Sequence, residues 1–141
     1  MGSTPRSGLR SVIARFNISS GSPFEPLIGF SRAVRIGDRV LVSGTAPIWP
    51  DGQVDPDPAT QARRCLEIIL DALHQAGAQA SDVVRTRCFL TDLSYSEAVG
   101  RAHGEVFGQV MPASTMIVVA GLLDDRWKVE IEAEAIVSEP A

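Results

Sequence analysis

The sequence predicts an α+β domain with the element order β-β-β-α-β-α-β-β, in which two helices cover one face of a mixed sheet. Three observations predict this fold class. Apolar and polar residues alternate strictly from Trp127 to Ile136, as they do in a half-buried strand. Two other segments carry apolar residues at helical spacing, and glycine-containing turns separate the segments from one another.

The length and composition fit one globular domain. The chain has 141 residues, of which 45% are hydrophobic, and its net charge of −4 disfavours a groove for nucleic acid. No apolar run approaches the roughly 18 residues of a membrane span. Cys65 and Cys88 stand alone in the sequence, which fits a reducing compartment, and we expect a cytoplasmic protein.

Residues 1–15 are predicted to form a flexible N-terminal segment, ahead of a single folded domain that spans residues 16–138. The segment is rich in Ser, Gly and Arg, contains no acidic residue and lacks the apolar stretch of a secretory signal. A frayed terminus or an expression remnant is favoured over an organelle-targeting peptide.

The first part of the domain is predicted to be β-structure. Three short strands are expected: Phe16–Ile18, Ala33–Ile36 and Arg39–Ser43. Gly37 and Asp38 form a two-residue turn, which makes the last two strands a hairpin. Residues 19–26 and 47–58 are rich in Ser, Gly or Pro and are predicted to be loops.

A first helix follows the second loop. Asp57 is its predicted N-cap, Pro58 takes its first position, and Gly77 stops it. Its predicted apolar face consists of Cys65, Ile69, Ala72, Leu73 and Ala76.

A second helix is predicted from Tyr95 to Phe107. Ser94 and Glu97 have the spacing of a capping box at its start, and Gly108 ends it. Its apolar stripe consists of Val99, Ala102 and Val106.

The remaining strands differ in pattern. Asp82–Leu90 alternates, with one face made of Val84, Thr86, Cys88 and Leu90 and the other of Arg85, Arg87 and Phe89. Thr115–Ala120 is a continuous apolar run, as expected for a strand that is buried on both faces. Two helices leave the other face of the sheet open, and the apolar residues there need cover, so we expect an oligomer.

Four stretches together resemble one family. They are Val40–Pro47 (Val-Leu-Val-Ser-Gly-Thr-Ala-Pro), Asp82–Leu93, Pro112–Thr115 (Pro-Ala-Ser-Thr) and Val129–Ala133 (Val-Glu-Ile-Glu-Ala). In this order the chain resembles the Rid family, also called YjgF or L-PSP endoribonuclease-like, over residues 19–137. The resemblance implies a chorismate-mutase-like fold and a homotrimer whose three sheets form a central barrel, with a small-molecule cleft at each subunit interface.

The resemblance also implies a chemistry. The best-known members of the family hydrolyse enamine and imine intermediates, such as 2-iminopropanoate, to a keto acid and ammonia. Other members are linked to aminomuconate deamination, pyrimidine breakdown or ribonuclease activity. Imine hydrolysis needs an anchor for the substrate carboxylate, an activated water and a group that moves protons. The deaminating members supply the anchor as an arginine. Ser114 stands at that position here, and a neutral hydroxyl does not replace a charged guanidinium fork.

Other site positions are carried over from the family one by one. Phe30 stands where the family has a tyrosine, Arg32 where it has a glutamine, and Gly100 where the deaminases have an asparagine. Gly44, from the pair that lines the cleft, and Glu130, which orients water in the family, are retained. The resemblance therefore implies one catalytic residue and four substrate-binding residues: Glu130, and Phe30, Arg32, Gly44 and Ser114.

Several of these residues have a structural alternative. Arg32 either replaces the missing anchor or is an ordinary solvated or ion-paired strand residue. Glu130, Glu132 and Glu134 lie roughly 7 Å apart along one strand face, so they need cations, water or a site. For Glu132 and Glu134 a cross-strand ladder is favoured, with Arg85, Arg87 or Lys128 as partners.

The remaining polar residues favour packing over chemistry. His103 lies beside the stripe of the second helix and is interpreted as a packing or interface histidine, with a ligand-facing role as the alternative. His74 is expected in solvent, and Cys65 and Cys88 in the core. The spacings form no zinc pattern and no glycine loop for a nucleotide, so neither a metal nor a cofactor is predicted.

Three functional hypotheses follow. The first is a cytoplasmic homotrimer with interface clefts for a small, anionic or carbonyl-bearing metabolite, which hydrolyses imines or enamines if it is an enzyme. The second is a metabolite-binding or regulatory protein without catalysis. An endoribonuclease is the third, and the acidic charge balance disfavours it.

Overall fold

The chain forms one mixed sheet with helices, as seen in a computed structural model that describes residues 14–138. Residues 1–13, most of the segment predicted to be flexible, lie outside the described residues, as do residues 139–141. The strands are Arg15–Ile18 (β1), Ala33–Ile36 (β2), Arg39–Thr45 (β3), Val83–Leu90 (β4), Ala113–Val118 (β5) and Val129–Ile136 (β6). The α-helices of the described part are Phe24–Ile28 (α1), Pro58–Gln75 (α2) and Ser96–Phe107 (α3). The predicted α+β class is confirmed.

The strand that alternates most strictly lies inside the sheet. The strand order is β1-β2-β3-β6-β4-β5, so β6 pairs with β3 on one side and β4 on the other, both antiparallel. β5 is parallel to β4 and occupies an edge. The register between β3 and β6 shifts between Val42 and Thr45, which marks a β-bulge around Gly44.

The core lies between the helices and one face of this sheet. Alternate residues of β6 point into it and are at most 3% exposed: Val129, Ile131, Ala133 and Ala135. The five residues predicted as the apolar face of α2 are all buried, and α2 packs on β6 and β3. Cys65 and Cys88 are buried free thiols, as predicted, and burial raises the pKa of the Cys88 thiol to about 11. No helix within residues 14–138 is both long enough and apolar enough to cross a membrane.

The predicted start and end of α2 are confirmed. The Asp57 carboxylate accepts a hydrogen bond from the Thr60 amide at 2.9 Å, and Pro58 opens the helix. Gly77 follows with a φ of 82°, a left-handed conformation that favours glycine.

The predicted capping box of the second long helix is wrong. A 3₁₀ turn over Leu93–Tyr95 precedes α3, and Asp92 caps that turn by accepting from the Ser94 amide at 2.8 Å. Ser94 therefore lies inside the turn, and the Glu97 carboxylate instead accepts from the Arg101 guanidinium one helical turn later.

Two local features differ from the sequence prediction. α1 lies partly in the predicted loop; it has five residues, too few to show helical periodicity, and ends at Gly29 with a φ of 90°. On β4, a register shift between Val83 and Arg85 buries Val83 and leaves Val84 43% exposed. The prediction that Val84 shares one face of β4 with Thr86 is therefore wrong, because a bulge breaks the two-residue period.

The apolar strand β5 is exposed along its whole length in the single chain. The prediction of a strand buried on both faces is wrong at this level, because within residues 14–138 β5 pairs with β4 alone and no strand lies on its outer side. Met116, Ile117 and Val118 are 36–50% exposed, so this edge is an apolar surface.

Candidate functional site

The Glu130 carboxylate is the acid that the family resemblance sets apart from Glu132 and Glu134. It lies on β6 opposite Phe89 of β4, on the face away from the helices, and it is half-buried. Burial raises the pKa of Glu130 above its usual range, while the positive charge of Arg32 works in the opposite direction. The environment of Glu130 therefore differs from that of Glu132 and Glu134, which follow it on β6.

Those two glutamates form the predicted cross-strand ladder. An Arg87 guanidinium nitrogen lies 2.9 Å from Glu132 Oε1 and 3.6 Å from Glu134 Oε1, and Arg39 reaches Glu134 at 3.5 Å. The ladder prediction is confirmed for Glu132 and Glu134. Within residues 14–138 no ion pair within 4.0 Å involves Glu130.

Gly44 provides the space in which the Glu130 side chain lies. A Cβ at position 44 would lie 2.5 Å from Glu130 Oε2 and 3.3 Å from its Cδ. The carboxylate therefore packs directly against the backbone of the β3 bulge, an approach that only glycine permits. This contact brings two of the predicted site residues together.

Arg32 is the third residue of this cluster. Its Nη2 donates to the Gly44 carbonyl at 2.6 Å, while its Nε is buried without a hydrogen-bond partner among the described residues. Burial lowers the pKa of the Arg32 guanidinium, and the charges of Glu25 and Glu130 act against that shift. Arg32 thus fixes the backbone carbonyl of Gly44 and places a positive charge close to Glu130.

Glu25 is a buried carboxylate that sequence analysis missed. It is 6% exposed and accepts hydrogen bonds from the Ser19 hydroxyl at 2.8 Å, the Ser20 amide at 3.0 Å and the Ser20 hydroxyl. The hydrogen bond from the Ser20 hydroxyl contributes most to lowering its pKa, so Glu25 stays ionised. An acid within a serine-rich loop was the only signal, and the short helix α1 that holds it has no periodicity to read.

Phe30 lies near this cluster but borders a different depression. It is 39% exposed and follows Gly29 at the end of α1. It lines a groove of about 590 Å³ over β1 and β2, with Arg15 and Ser43 among the other lining residues. Arg32 lines a second groove, of about 660 Å³, against α2. Among the described residues, Phe30 and Arg32 thus line two separate grooves.

Ser114 lies apart from Glu130. It pairs with Thr86 in the parallel register of β5 on β4, two strands away from β6. Its Oγ is 2.8 Å from Thr86 Oγ1, which is buried on the helix-covered face. Glu130 faces the other side of the sheet, so one chain does not bring these two residues together.

A histidine completes the surroundings of Ser114. Thr86 Oγ1 is also 2.8 Å from His103 Nε2 on α3, and the His103 ring lies 4.8 Å from that of Phe107 at a tilt of 48°. Burial lowers the pKa of His103, which favours its neutral form. His103 thus packs as predicted and forms a hydrogen bond that the sequence did not reveal, whereas His74 is exposed, as predicted.

The arrangement can support acid–base chemistry on a small ligand. It holds the half-buried carboxylate of Glu130 and the nearby guanidinium of Arg32. On a separate edge of the sheet lie the uncharged side chains of Ser114, Thr86 and His103. Across residues 14–138, no three His, Cys, Asp or Glu side chains come together as metal ligands would. The Glu130 carboxylate can transfer protons, and the Arg32 guanidinium and the Ser114 hydroxyl can form hydrogen bonds with a ligand.

Comparison with known proteins assigns the chain to one family. The family model described as Endoribonuclease L-PSP matches residues 21–137. The solved structure of Rv2704 from Mycobacterium tuberculosis, a member of the YjgF/YER057c/UK114 family, is 45% identical, with a TM-score of 0.81 over 88% of this chain and 100% of that one.

Two relatives have names that state an activity or a ligand. The 2-iminobutanoate/2-iminopropanoate deaminase of Escherichia coli K12 is 32% identical over 76% of this chain and 86% of its own. The structure of E. coli TdcF with bound serine is 28% identical, with a TM-score of 0.74 over 86% of this chain and 94% of that one. The predicted YjgF-like fold is confirmed, and the chain belongs to the YjgF/Rid family, whose model covers nearly all of its described residues.

Proposed function

We propose that this chain is a hydrolase of small imine or enamine metabolites in which Glu130 orients the attacking water. The observation that carries the proposal is the position of the Glu130 carboxylate, half-buried and packed against Gly44, with a pKa raised by burial. A carboxylate with a raised pKa is a better proton acceptor than a solvated one. The similarity to the E. coli 2-iminobutanoate/2-iminopropanoate deaminase supports the same chemistry.

The proposed reaction adds one water across a C=N bond. Glu130 takes a proton from the water while the water oxygen bonds to the imine carbon, and that proton passes to the nitrogen to give a carbinolamine. The hydroxyl proton of the carbinolamine then passes through Glu130 to the nitrogen, and the C–N bond breaks. Ammonia and a carbonyl compound leave, and Glu130 is again a carboxylate.

The proposed substrate differs from that of the arginine-bearing deaminases. Ser114 stands at the position of their arginine, and its hydrogen-bond partner Thr86 is also uncharged. Arg32 is a cation close to Glu130, but its Nη2 already donates a hydrogen bond to the Gly44 carbonyl, and that N–H is not available to a substrate carboxylate. We therefore propose a substrate with a carbonyl or amide group where 2-iminopropanoate has a carboxylate.

We further propose a cytoplasmic homotrimer with its clefts between subunits. Ser114 and Glu130 lie two strands apart on opposite faces of one sheet, so a cleft that uses both needs a second copy of the chain. The exposed apolar edge at β5 supports such an interface.

The test is the rate of ammonia release from imines generated in situ, for the wild type and Glu130→Gln. The substitution keeps the size of the side chain but removes the proton acceptor, and the rate should fall about 100-fold or more. Glu132→Gln makes the same change two residues along β6, within the Arg87 ladder, and should keep most of the rate. Equal rates for the wild type and Glu130→Gln would overturn the proposal.

A metabolite-binding role without catalysis is the second candidate. The neutral surroundings of Ser114 favour it, and so does the similarity to E. coli TdcF, whose structure contains bound serine. It predicts saturable binding of a small amino acid or carbonyl compound with no ammonia release. RNA cleavage, which the name of the matching family model suggests, is disfavoured by the net charge of −4.

A further inference from the structure

Three side chains from three elements form one hydrogen-bonded row. Ser114 of β5, Thr86 of β4 and His103 of α3 are linked by two contacts of 2.8 Å, Oγ to Oγ1 and Oγ1 to Nε2. Thr86, in the middle, is 0% exposed, whereas Ser114 at one end is exposed. The row therefore connects a surface hydroxyl to an imidazole on the helix layer through one buried group.

The middle hydroxyl forces the row to have a direction. Thr86 has one proton to donate and lies between two partners. If His103 Nε2 is an acceptor, Thr86 donates to it and accepts from Ser114, which then offers lone pairs to a ligand. If Nε2 carries the proton, Thr86 accepts from His103 and donates to Ser114, which then offers its own proton. The tautomer of His103 thus decides what Ser114 presents.

We propose that His103 is a positioning residue that acts on the ligand through Thr86 and Ser114, so that this edge of the site selects an uncharged hydrogen-bonding group. The row contains no charged side chain, and a carboxylate would have to lose its hydration there without gaining a counter-ion. When Nε2 carries the proton, the Ser114 hydroxyl donates to an amide oxygen of the ligand. When Nε2 is an acceptor, the Ser114 hydroxyl accepts from an amide or imine N–H. The inference rests on the proposed site including Ser114, but not on Glu130 or on turnover.

The first test uses no ligand. ¹⁵N chemical shifts of the imidazole nitrogens distinguish the two tautomers and the charged form. The chain has two histidines, so His74→Gln assigns the signals and His74 serves as an internal reference. Thr86→Val removes the hydroxyl but keeps the side-chain shape, and the Nε2 signal of His103 should move while that of His74 stays. Thr86→Ser restores a hydroxyl and should restore the wild-type signal.

The second test uses two stable probes of similar size: pyruvamide, which is neutral and whose amide both donates and accepts hydrogen bonds, and pyruvate, which is an anion whose carboxylate only accepts them. Pyruvamide should bind the wild type more tightly, and its binding should shift the His103 signal. Thr86→Val should weaken pyruvamide about five- to tenfold, the effect of one hydrogen bond, and leave pyruvate unchanged. Thr115→Val makes the same change at the next position of β5 and should leave both affinities unaltered.

Two results would overturn the inference. One is a His103 signal that is identical in the wild type and Thr86→Val, because the row would then not exist in solution. The other is tighter binding of pyruvate than of pyruvamide by the wild type. Neither readout depends on hydrolysis. Equal rates for the wild type and Glu130→Gln would overturn the proposed function and leave both readouts unchanged, so the two failures are distinguishable.

Discussion

At the scale of single residues, the contact between Gly44 and Glu130 links backbone conformation to chemistry. The bulge in β3 brings the Gly44 backbone to the Glu130 carboxylate, and the Arg32 guanidinium holds the same backbone by its carbonyl. Neither Glu132 nor Glu134, which have the same alternation and charge, has such a neighbour; both pair with Arg87. Position along β6, rather than residue type, therefore separates the proposed catalytic acid from the ladder.

Gly44→Ala should separate activity from stability. The new Cβ displaces the far end of the flexible Glu130 side chain, so the free energy of unfolding should fall by less than about 2 kcal/mol. Hydrolysis should fall about 100-fold, because a displacement of roughly 1 Å disrupts the catalytic geometry. Urea unfolding and ammonia release measure the two effects. Gly104→Ala makes the same change on α3 with no atom within 4 Å and should keep full activity.

The raised pKa of Glu130 predicts a pH dependence of stability. Between the usual glutamate pKa and the raised one, the folded chain binds more protons than the unfolded chain, so stability falls as pH rises through this window. Glu130→Gln has no such titration. The free energy of unfolding of Glu130→Gln minus that of the wild type should therefore be larger at neutral pH than at acidic pH. Urea unfolding across that pH range measures this difference. A relative stability that is independent of pH would contradict the assigned shift.

At the scale of elements, Gln61 fixes two loops to α2. It is fully buried, and its Nε2 donates to the Asp55 carbonyl at 2.8 Å and the Arg126 carbonyl at 3.0 Å. Its Oε1 accepts from the Lys128 amide at 2.7 Å, just before β6. All the polar atoms of the amide have partners, so this single side chain helps to set the position at which β6 enters the sheet.

Gln61→Leu should be strongly destabilising. It introduces an apolar side chain of similar size and leaves the Lys128 amide and two carbonyls without partners, which should lower the free energy of unfolding by about 2–4 kcal/mol. Gln75→Leu, near the exposed end of the same helix, is the matched control and should change it by less than about 0.5 kcal/mol. Urea unfolding at fixed protein concentration measures both, and equal effects would contradict the role assigned to Gln61.

Periodicity predicted the elements well where they are long. The face of α2 and the alternation of β6 are confirmed residue by residue, because each follows from a repeated geometric period. α1 and the bulge at Val84 were missed, since one is too short for a period and the other interrupts it. The buried role of Thr86 could have been suspected from a hydroxyl between apolar residues on the same face, but its partners on α3 and β5 depend on tertiary structure.

At the scale of the whole molecule, the single chain leaves an apolar edge without cover. β5 has the composition of an interior strand and the position of an edge strand. The sequence predicted the composition, and in the proposed trimer a second copy of the chain would cover this strand. Arg32, Gly44 and Glu130 lie together within one chain, whereas a cleft that contains both Ser114 and Glu130 would need the proposed second copy.

The proposed trimer predicts a mass of about 45 kDa in solution, three times the 15.1 kDa of the chain. Ile117→Lys places a charge at an exposed apolar position of β5 and should shift the mass toward that of the single chain, because the interface would bury an unpaired ammonium. Light scattering coupled to size exclusion measures the mass. A wild type that elutes at 15 kDa at micromolar concentration would rule out the trimer.

The most direct measurement compares kcat/KM for 2-iminopropanamide and 2-iminopropanoate in the wild type and Ser114→Arg. We propose that this chain keeps the water-orienting acid of its family and has a neutral group in place of the charged anchor. The wild type should therefore favour the amide, and Ser114→Arg should shift the ratio toward the carboxylate by about tenfold or more, the effect of a charge-assisted hydrogen bond. A wild type that favours 2-iminopropanoate, or that hydrolyses neither imine, would contradict this proposal.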